Sequence, residues 1–455
     1  MGFESINPAT GEKINEYGGA SPAEVASVVE AASDAFLLWK RVDIPERAKF
    51  LHGVARILRD SKDRWARLMA KEMGKPVSQG RAEAEKSAWV CEYFAENSEK
   101  FLAPFDIPTE ARKSFVAFQP LGIVLAVMPW NFPFWQVFRA AAPALMAGNT
   151  VLLKHASNVC GCSVAIQGIC EEAELPRGVF RSLIIGSEDV GALIRDPRIQ
   201  AVTLTGSAAA GRSVAQAAGR SLKKVVLELG GSDPYVILAD ADLESAARSC
   251  AAGKLVNAGQ SCIAAKRIFV LRSVRSRFEE HFVRQMQEQK TGDPLDTATQ
   301  IGPLARADVR ATLAAQVERS ISAGARCILG GSIPDGAGFF YPPTVLTDVR
   351  QGMPVFDEEV FGPVAAIIPV ENTEEAIRGA NDSSYGLGAA VFTRDLVEGE
   401  RIAREELAAG CGFVNAYVRS DPRLPFGGIK ESGFGRELSS FGIREFVNIK
   451  TVFVQ

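Results

Sequence analysis

The chain has 455 residues, 47% of them hydrophobic and 23% charged, a composition ordinary for a soluble globular protein and a length too great for a single core. Its 51 basic and 54 acidic residues nearly balance, without a basic block, which argues against nucleic acid as the main partner. No segment reaches the unbroken apolar length needed to span a bilayer, and eight cysteines scattered without paired spacing fit a reducing cytoplasm.

The first residues carry Glu4, Glu12 and Lys13 with no apolar run of the kind an export signal needs, and Ile6 breaks the myristoylation pattern that Met1-Gly2 opens. Ser21-Pro22-Ala23-Glu24 reads as a helix start, with Val25, Val28, Val29, Ala32 and Phe36 following at helical spacing. Further helix runs to about residue 100, where Glu83, Glu85 and Lys86 read as solvated surface. Residues 101–119, with Pro104, Pro108 and alternating Phe115 and Ala117, read as an exposed ribbon or loop.

From Leu121 onward strands alternate with helices. The strands are expected at 123–127, 151–153, 182–185, 201–204, 224–227 and 235–238, with helices at 137–146 and 164–174 among them. Near-continuous apolar strands alternating with helices imply an α/β fold whose parallel sheet is covered on both faces. Ligands of such sheets bind outside the carboxyl ends of the strands, where Asn131, Lys154, Gly186, Gly206 and Glu228 fall. A second series follows Gly231, with strands at 267–271, 326–329, 364–369 and 389–393. Residues 446–454 alternate apolar and polar like an edge strand, which invites pairing with another subunit.

Three remote stretches carry chemistry. Cys262 follows the small-polar run Gly259-Gln260-Ser261 and precedes a strand, a setting for an accessible thiol rather than a buried one. Glu228 lies between Leu227 and Leu229 at the end of an apolar run, a costly place for a carboxylate without a task. Asn131 interrupts the apolar Met128-Pro129-Trp130 and Phe132-Pro133-Phe134-Trp135. Nucleophile, water-activating base and oxyanion donor are the three parts of acyl-enzyme chemistry. Each residue alone has a blander reading, a buried small side chain or a surface acid. Cys160 and Cys162, with Cys170 and His155, lack a second cluster at ligand spacing, so no metal is expected. Gly206-Ser207-Ala-Ala-Ala-Gly211 follows a strand and opens an Ala-rich helix whose N–H groups suit a pyrophosphate, although the spacing is not G-x-G-x-x-G.

The words Pro129-Trp130-Asn131-Phe132-Pro133, Thr205-Gly206-Ser207, Glu228-Leu229-Gly230-Gly231, Gly259-Gln260-Ser261-Cys262, Glu359-Val360-Phe361-Gly362-Pro363 and Pro425-Phe426-Gly427-Gly428 resemble, in order, those of the aldehyde dehydrogenase superfamily. The resemblance implies a Rossmann-like dinucleotide-binding domain from 1–100 and 120–230, and an α/β catalytic domain from 231–430. It also implies an oligomerisation arm and C-terminal strand at 101–119 and 431–455, the strand pairing with a partner's arm in a homodimer or homotetramer. Cys262 would attack the aldehyde, Asn131 would hold the oxyanion, and Glu228 would activate water against the thioester, giving a free acid. The cofactor would meet Met128, Pro129, Trp130, Lys154, Ser157, Gly186, Gly206, Ser207, Gly211, Leu229, Glu359 and Phe361. Ser157 stands where relatives preferring NAD carry Glu, so NADP is expected to be preferred and NAD accepted.

On the substrate side, Trp135, Arg139 and Ser420 resemble residues of bacterial and cyanobacterial succinate semialdehyde dehydrogenases, in which the Arg and Ser hold the distal carboxylate. Two departures stand out. Val256 occupies the place of a second Arg, and Ala264 that of a second, redox-active Cys. A broad aliphatic or aromatic aldehyde dehydrogenase is the alternative enzyme, and a non-catalytic relative of the fold is the alternative from another class.

Overall fold

The computed structural model describes residues 2–455. An antiparallel hairpin of Gly2–Ile6 and Lys13–Gly18 opens the chain. Four helices follow, Pro22–Trp39, Ile44–Asp60, Lys62–Met73 and Val77–Leu102. The capping box expected at Ser21 is present: Glu24 N–H donates to the Ser21 hydroxyl, and Ser21 N–H donates to the Glu24 carboxylate at 2.7 Å. The third helix stops at Gly74, whose φ of 78° is left-handed and costs glycine nothing.

Five parallel strands form the first sheet in the order Lys224–Glu228, Ile199–Thr205, Ile123–Met128, Thr150–His155 and Phe180–Ser182. Along Ile123–Met128 the side chains alternate between two cores. Ile123 and Leu125 pack on one face, Val124, Ala126 and Met128 on the other. This two-sided burial is why the strand reads as unbroken apolar sequence. Because Ile123–Met128 comes first in the chain yet sits centrally, strand order reverses beside it. The crevice at that switch point opens outside its carboxyl end and that of Ile199–Thr205.

A second sheet runs Arg326–Leu329, Thr344–Thr347, Val364–Val370, Arg267–Leu271, Pro234–Ile237, Gly388–Phe392 and Cys411–Val414, parallel except for its first pair. Cys262 precedes Arg267–Leu271, so the thiol lies at the amino ends of this sheet.

Four details differ from the sequence reading. The strand expected at 182–185 is Phe180–Ser182; Leu183 N still donates to Leu153 O at 2.8 Å, but the next carbonyl, of Ile184, accepts from Ala20 N at 2.8 Å instead of from the sheet. Gly433–Phe434, placed by sequence in the terminal segment, instead closes the first sheet antiparallel to Leu227 and Glu228. Val447–Val454 pairs over eight residues with Lys113–Pro120 of its own chain, and Phe105–Asp106 completes that sheet. Glu83, read as solvated, is buried. Lys86 and Glu83 face inward because Gln79, Ala82, Glu83, Lys86 and Trp89 recur at helical spacing along a cavity wall.

Candidate active site

The nucleophile loop is built from strained backbone. After helix Leu243–Leu255, Asn257 (φ 55°), Ala258 (φ 53°) and Gly259 (φ 74°) are left-handed in succession. A side chain at 259 would strike the Gly362 carbonyl, so the third position demands glycine. Lys266 then gathers the loop. Its ammonium donates to Gly231 O at 2.6 Å, Ser261 O at 3.0 Å and Cys262 O at 2.7 Å, and lies 3.3 Å from Glu359 Oε1. Burial pushes the Cys262 thiol up to about 12, a rise opposed by the cations Lys266 and Arg139.

Asn131 is tied directly to this loop. Its Nδ2 donates to Gln260 O at 3.1 Å, while its own carbonyl accepts from Asn257 Nδ2 at 2.7 Å and from Lys75 Nζ at 2.9 Å. One N–H of the Asn131 amide is thereby used, leaving a second for an oxyanion. Lys75 is ion-paired with Glu83, both nearly solvent-free. The other Glu83 oxygen accepts from Phe134 N at 2.9 Å and Trp135 N at 3.1 Å, which satisfies the start of helix Trp135–Met146. His155 braces the same loop. Ala156 N–H donates to its Nδ1, so the ring proton sits on Nε2 and is donated to Pro133 O at 2.9 Å. Burial lowers His155 to about 4 and keeps it neutral, a structural post rather than a ligand.

Glu228 ends its strand, where its carbonyl accepts from Gly206 N at 3.0 Å. The carboxylate is buried, and neither oxygen has a hydrogen-bond partner among the described residues. Burial, reinforced by the neighbouring Glu437, raises it well above the usual carboxylate range, against the pull of Arg139 and Arg436. Gly427, at φ 156°, leaves the space beside Glu228 Oε1 that any Cβ would occupy. Glu437 is ion-paired with Arg139, whose Nη2 also donates to Thr205 Oγ1 at 3.2 Å and whose guanidinium lies 5.0 Å from the Phe426 ring centre. Arg139 thus acts electrostatically on both Cys262 and Glu228.

Cys262 belongs to two cavities. One, of about 280 Å³, is lined by Pro129, Trp130, Asn131, Gly206, Ser207, Leu229, Glu359 and Phe361, at the switch point of the first sheet. Ser207 caps helix Ala208–Arg220, accepting from Ala210 N at 3.3 Å. Trp130 and Phe361 meet edge-on at 5.7 Å. Glu359 also accepts from Gly231 N at 3.1 Å. Of the other residues expected at the cofactor, Met128, Lys154, Ser157, Gly186 and Gly211 lie outside this cavity. Gly211 has a packing role, since a Cβ there would run into Leu229. Lys154, next to last in its strand, is buried and without an ion-pair partner among the described residues, and Ser157 is exposed just beyond the strand. Gly186 N–H donates to Asp189 Oδ2 at 3.3 Å.

The second cavity, of about 440 Å³, is walled by Trp89, Phe132, Trp135, Tyr417 and Phe426, and Arg139 and Ser420 line it as expected. Sequence reasoning missed Lys86, whose ammonium donates to Ser420 Oγ at 2.8 Å and lies 4.2 Å from the Trp135 ring centre. Lys75, Glu83, Asn257, Lys266 and Glu437 were also missed, because each acts through a tertiary contact with no local signature. Glu228 lines neither cavity. The structure therefore brings Cys262 and Asn131 to one cavity, with Asn131 bonded to the loop that carries the thiol, and Arg139 acts on Glu228 and Cys262 through its charge.

Residues 1–452 match the model of the aldehyde dehydrogenase family. The chain is 49% identical over 454 residues, all of both chains, to a probable succinate-semialdehyde dehydrogenase [NADP(+)] of Synechocystis sp.. It is 45% identical to the succinate semialdehyde dehydrogenase [NAD(P)+] Sad of Escherichia coli, across 99% of this chain and 97% of that one. Among solved structures, the succinic semialdehyde dehydrogenase of Streptococcus pyogenes in complex with NADP+ superposes with a TM-score of 0.97 at 36% identity, covering 99% of each chain. A likeness that runs the length of both chains, and not over the clefts alone, accounts for every segment described above: the chain belongs to the aldehyde dehydrogenase family.

Proposed function

We propose that this protein oxidises succinate semialdehyde to succinate, with NADP preferred and NAD accepted. The observation that carries the reading is a single thiol shared by two cavities, one at a nucleotide switch point and one leading to polar and cationic side chains. Names of relatives nearly half identical over their whole length support the substrate and the cofactor.

The residues suit a nicotinamide dinucleotide. The amino end of helix Ala208–Arg220 and the ammonium of Lys154 offer donors for phosphates, and Glu359 offers an acceptor for a ribose hydroxyl. Bound there, the cofactor would supply the acceptor for the hydride that leaves the aldehyde carbon once the thiol has added to it. Cys262 gives its proton to solvent and attacks the aldehyde carbon as thiolate, while Asn131 Nδ2–H and the Cys262 backbone N–H hold the oxyanion. Glu228 takes the proton of the water that hydrolyses the thioester. The six-stranded sheet would be the dinucleotide-binding domain and the seven-stranded sheet the catalytic one.

A panel of aldehydes with both cofactors tests the reading. Succinate semialdehyde should exceed butanal and benzaldehyde in kcat/KM, and equal values would replace it with a broad aldehyde dehydrogenase. Ser157→Glu should shift the NADP-to-NAD ratio of kcat/KM toward NAD by roughly 10- to 100-fold, because a carboxylate would repel the 2′-phosphate. An unchanged ratio would remove Ser157 from cofactor choice.

On the three-stranded arm sheet Phe105, Ile107, Ile449 and Phe453 are exposed, which supports a homodimer or homotetramer. Light scattering at micromolar concentration checks this, and a monomer would reject it. No helix among the described residues is long and apolar enough to cross a membrane, and the scattered free cysteines suit a cytoplasmic setting.

A further inference from the structure

Lys266 stands just before strand Arg267–Leu271, and its side chain is wholly buried. An ammonium withdrawn from water needs an acceptor for each of its N–H groups. Here the acceptors come from three separate segments. Gly231 O lies just beyond the Glu228 base, Ser261 O and Cys262 O belong to the nucleophile loop, and Glu359 Oε1 belongs to the nucleotide cavity. These segments are pressed together with no room to slide: a Cβ at Gly230 would strike the Glu359 carboxylate, and one at Gly231 would strike Cys262 O. Glu359 Oε1 also accepts from Gly231 N–H, which leaves Oε2 unbonded among the described residues. Lys266 itself lines neither cavity. Lys254, on the helix that leads into the loop, has no partner among the described residues. Burial, together with Lys266, lowers it well below the usual range, so it is no substitute for the Lys266 charge.

We propose that Lys266 is a positioning residue for the reaction, a buried yoke that holds the Cys262 carbonyl and the Glu359 carboxylate on one nitrogen and so keeps the thiol in register with the bound nucleotide. The inference rests on the reading of Glu359 as the acceptor for a ribose hydroxyl.

The charge of the yoke gives it a measurable signature. Beside the burial that raises it, four charged groups act on the Cys262 thiol. Lys266 and Arg139 favour the thiolate, Glu359 and Asp233 oppose it, and Lys266 is the stronger of the two cations. A neutral side chain at 266 therefore leaves the thiol harder to ionise.

The test makes two measurements on the wild type, Lys266→Met, Glu359→Gln and the double variant. One is the rate at which iodoacetamide alkylates the free enzyme at pH 8; the other is KM for NADP with whichever aldehyde of the panel is turned over best. Lys266→Met should slow alkylation roughly 3- to 10-fold and raise KM for NADP by a similar factor, while KM for the aldehyde moves less than about twofold. Glu359→Gln should also raise KM for NADP, yet speed alkylation, because an anion beside the thiol is gone. In the double variant KM for NADP should match that of the worse single variant, since both changes break the same link. An unchanged alkylation rate in Lys266→Met, or effects on KM that multiply in the double variant, overturns the yoke and leaves the reading of Glu359 standing. Should Lys266→Met fail to fold, Glu359→Gln decides alone, and alkylation no faster than in the wild type overturns it. If Glu359→Gln leaves KM for NADP unchanged, the reading of Glu359 fails and the inference with it. Alkylation needs no aldehyde, so a different preferred substrate leaves the result intact.

Discussion

Cys262→Ala is expected to lower aldehyde oxidation by roughly 10⁴-fold or more, the scale on which a covalent nucleophile is lost. No other cysteine can substitute. Of the remaining seven, Cys91, Cys160, Cys162, Cys170 and Cys250 are buried, and neither Cys327 nor Cys411 lines a cavity with Asn131. Nucleotide affinity should persist, because the backbone of the loop is held by Lys266 through carbonyls that alanine retains. Quenching of tryptophan fluorescence reports that binding, and residual turnover above one part in a hundred would remove Cys262 from the reaction. The elevated thiol carries a second expectation. Because Cys262 titrates near 12, alkylation of the free enzyme by iodoacetamide should accelerate about tenfold per pH unit between pH 7 and 9. A rate flat over that range would mean that the thiolate is already formed.

Glu228→Gln is expected to reduce steady-state turnover by roughly 10²- to 10⁴-fold while sparing the first hydride transfer. Rapid mixing should show a burst of reduced cofactor close to one equivalent per site, followed by slow release as water meets the thioester unaided. Loss of burst and turnover in equal measure would assign Glu228 to the first step. The pH dependence follows from the direction of the shift. A carboxyl raised by burial and by Glu437 is protonated at low pH and becomes a base only as pH rises. Wild-type deacylation should therefore increase with pH, and the Gln variant should lose that increase. Glu228 and Glu437 share one buried region with Arg139, so the rise belongs to the pair rather than to one carboxyl.

Much of the frame is legible in the sequence because its signals are local. The strands at 267–271 and 326–329 coincide with the observed ones, since their apolar runs are short and bounded by turn residues. Ser21 and Glu24 form their capping box from neighbours three residues apart. The thiol, the buried acid and the amide are each conspicuous for being out of place among apolar residues. What escapes is charge at a distance. Nothing within ten residues of Lys86 marks it as facing Ser420, which lies 334 positions away. Glu83 and Lys75 are likewise ordinary polar residues until the Asn131 loop is laid against them. Arg139 is legible as a cation of the substrate side, but its contact with Glu437 is not, because that carboxylate arrives from the far end of the chain. Helix periodicity at positions 79, 82, 83, 86 and 89 was the one available hint, and it points to a shared face without saying what that face meets.

Cys262 opens onto both cavities, and on the proposed reading the choice of nucleotide and the choice of aldehyde fall to separate walls. Lys154 lies in a strand of the first sheet and Ser157 just after it, whereas Lys86 and Ser420 line the opposite chamber. Variants of the two walls should therefore combine as independent factors, so that nucleotide preference and aldehyde preference can be retuned one at a time.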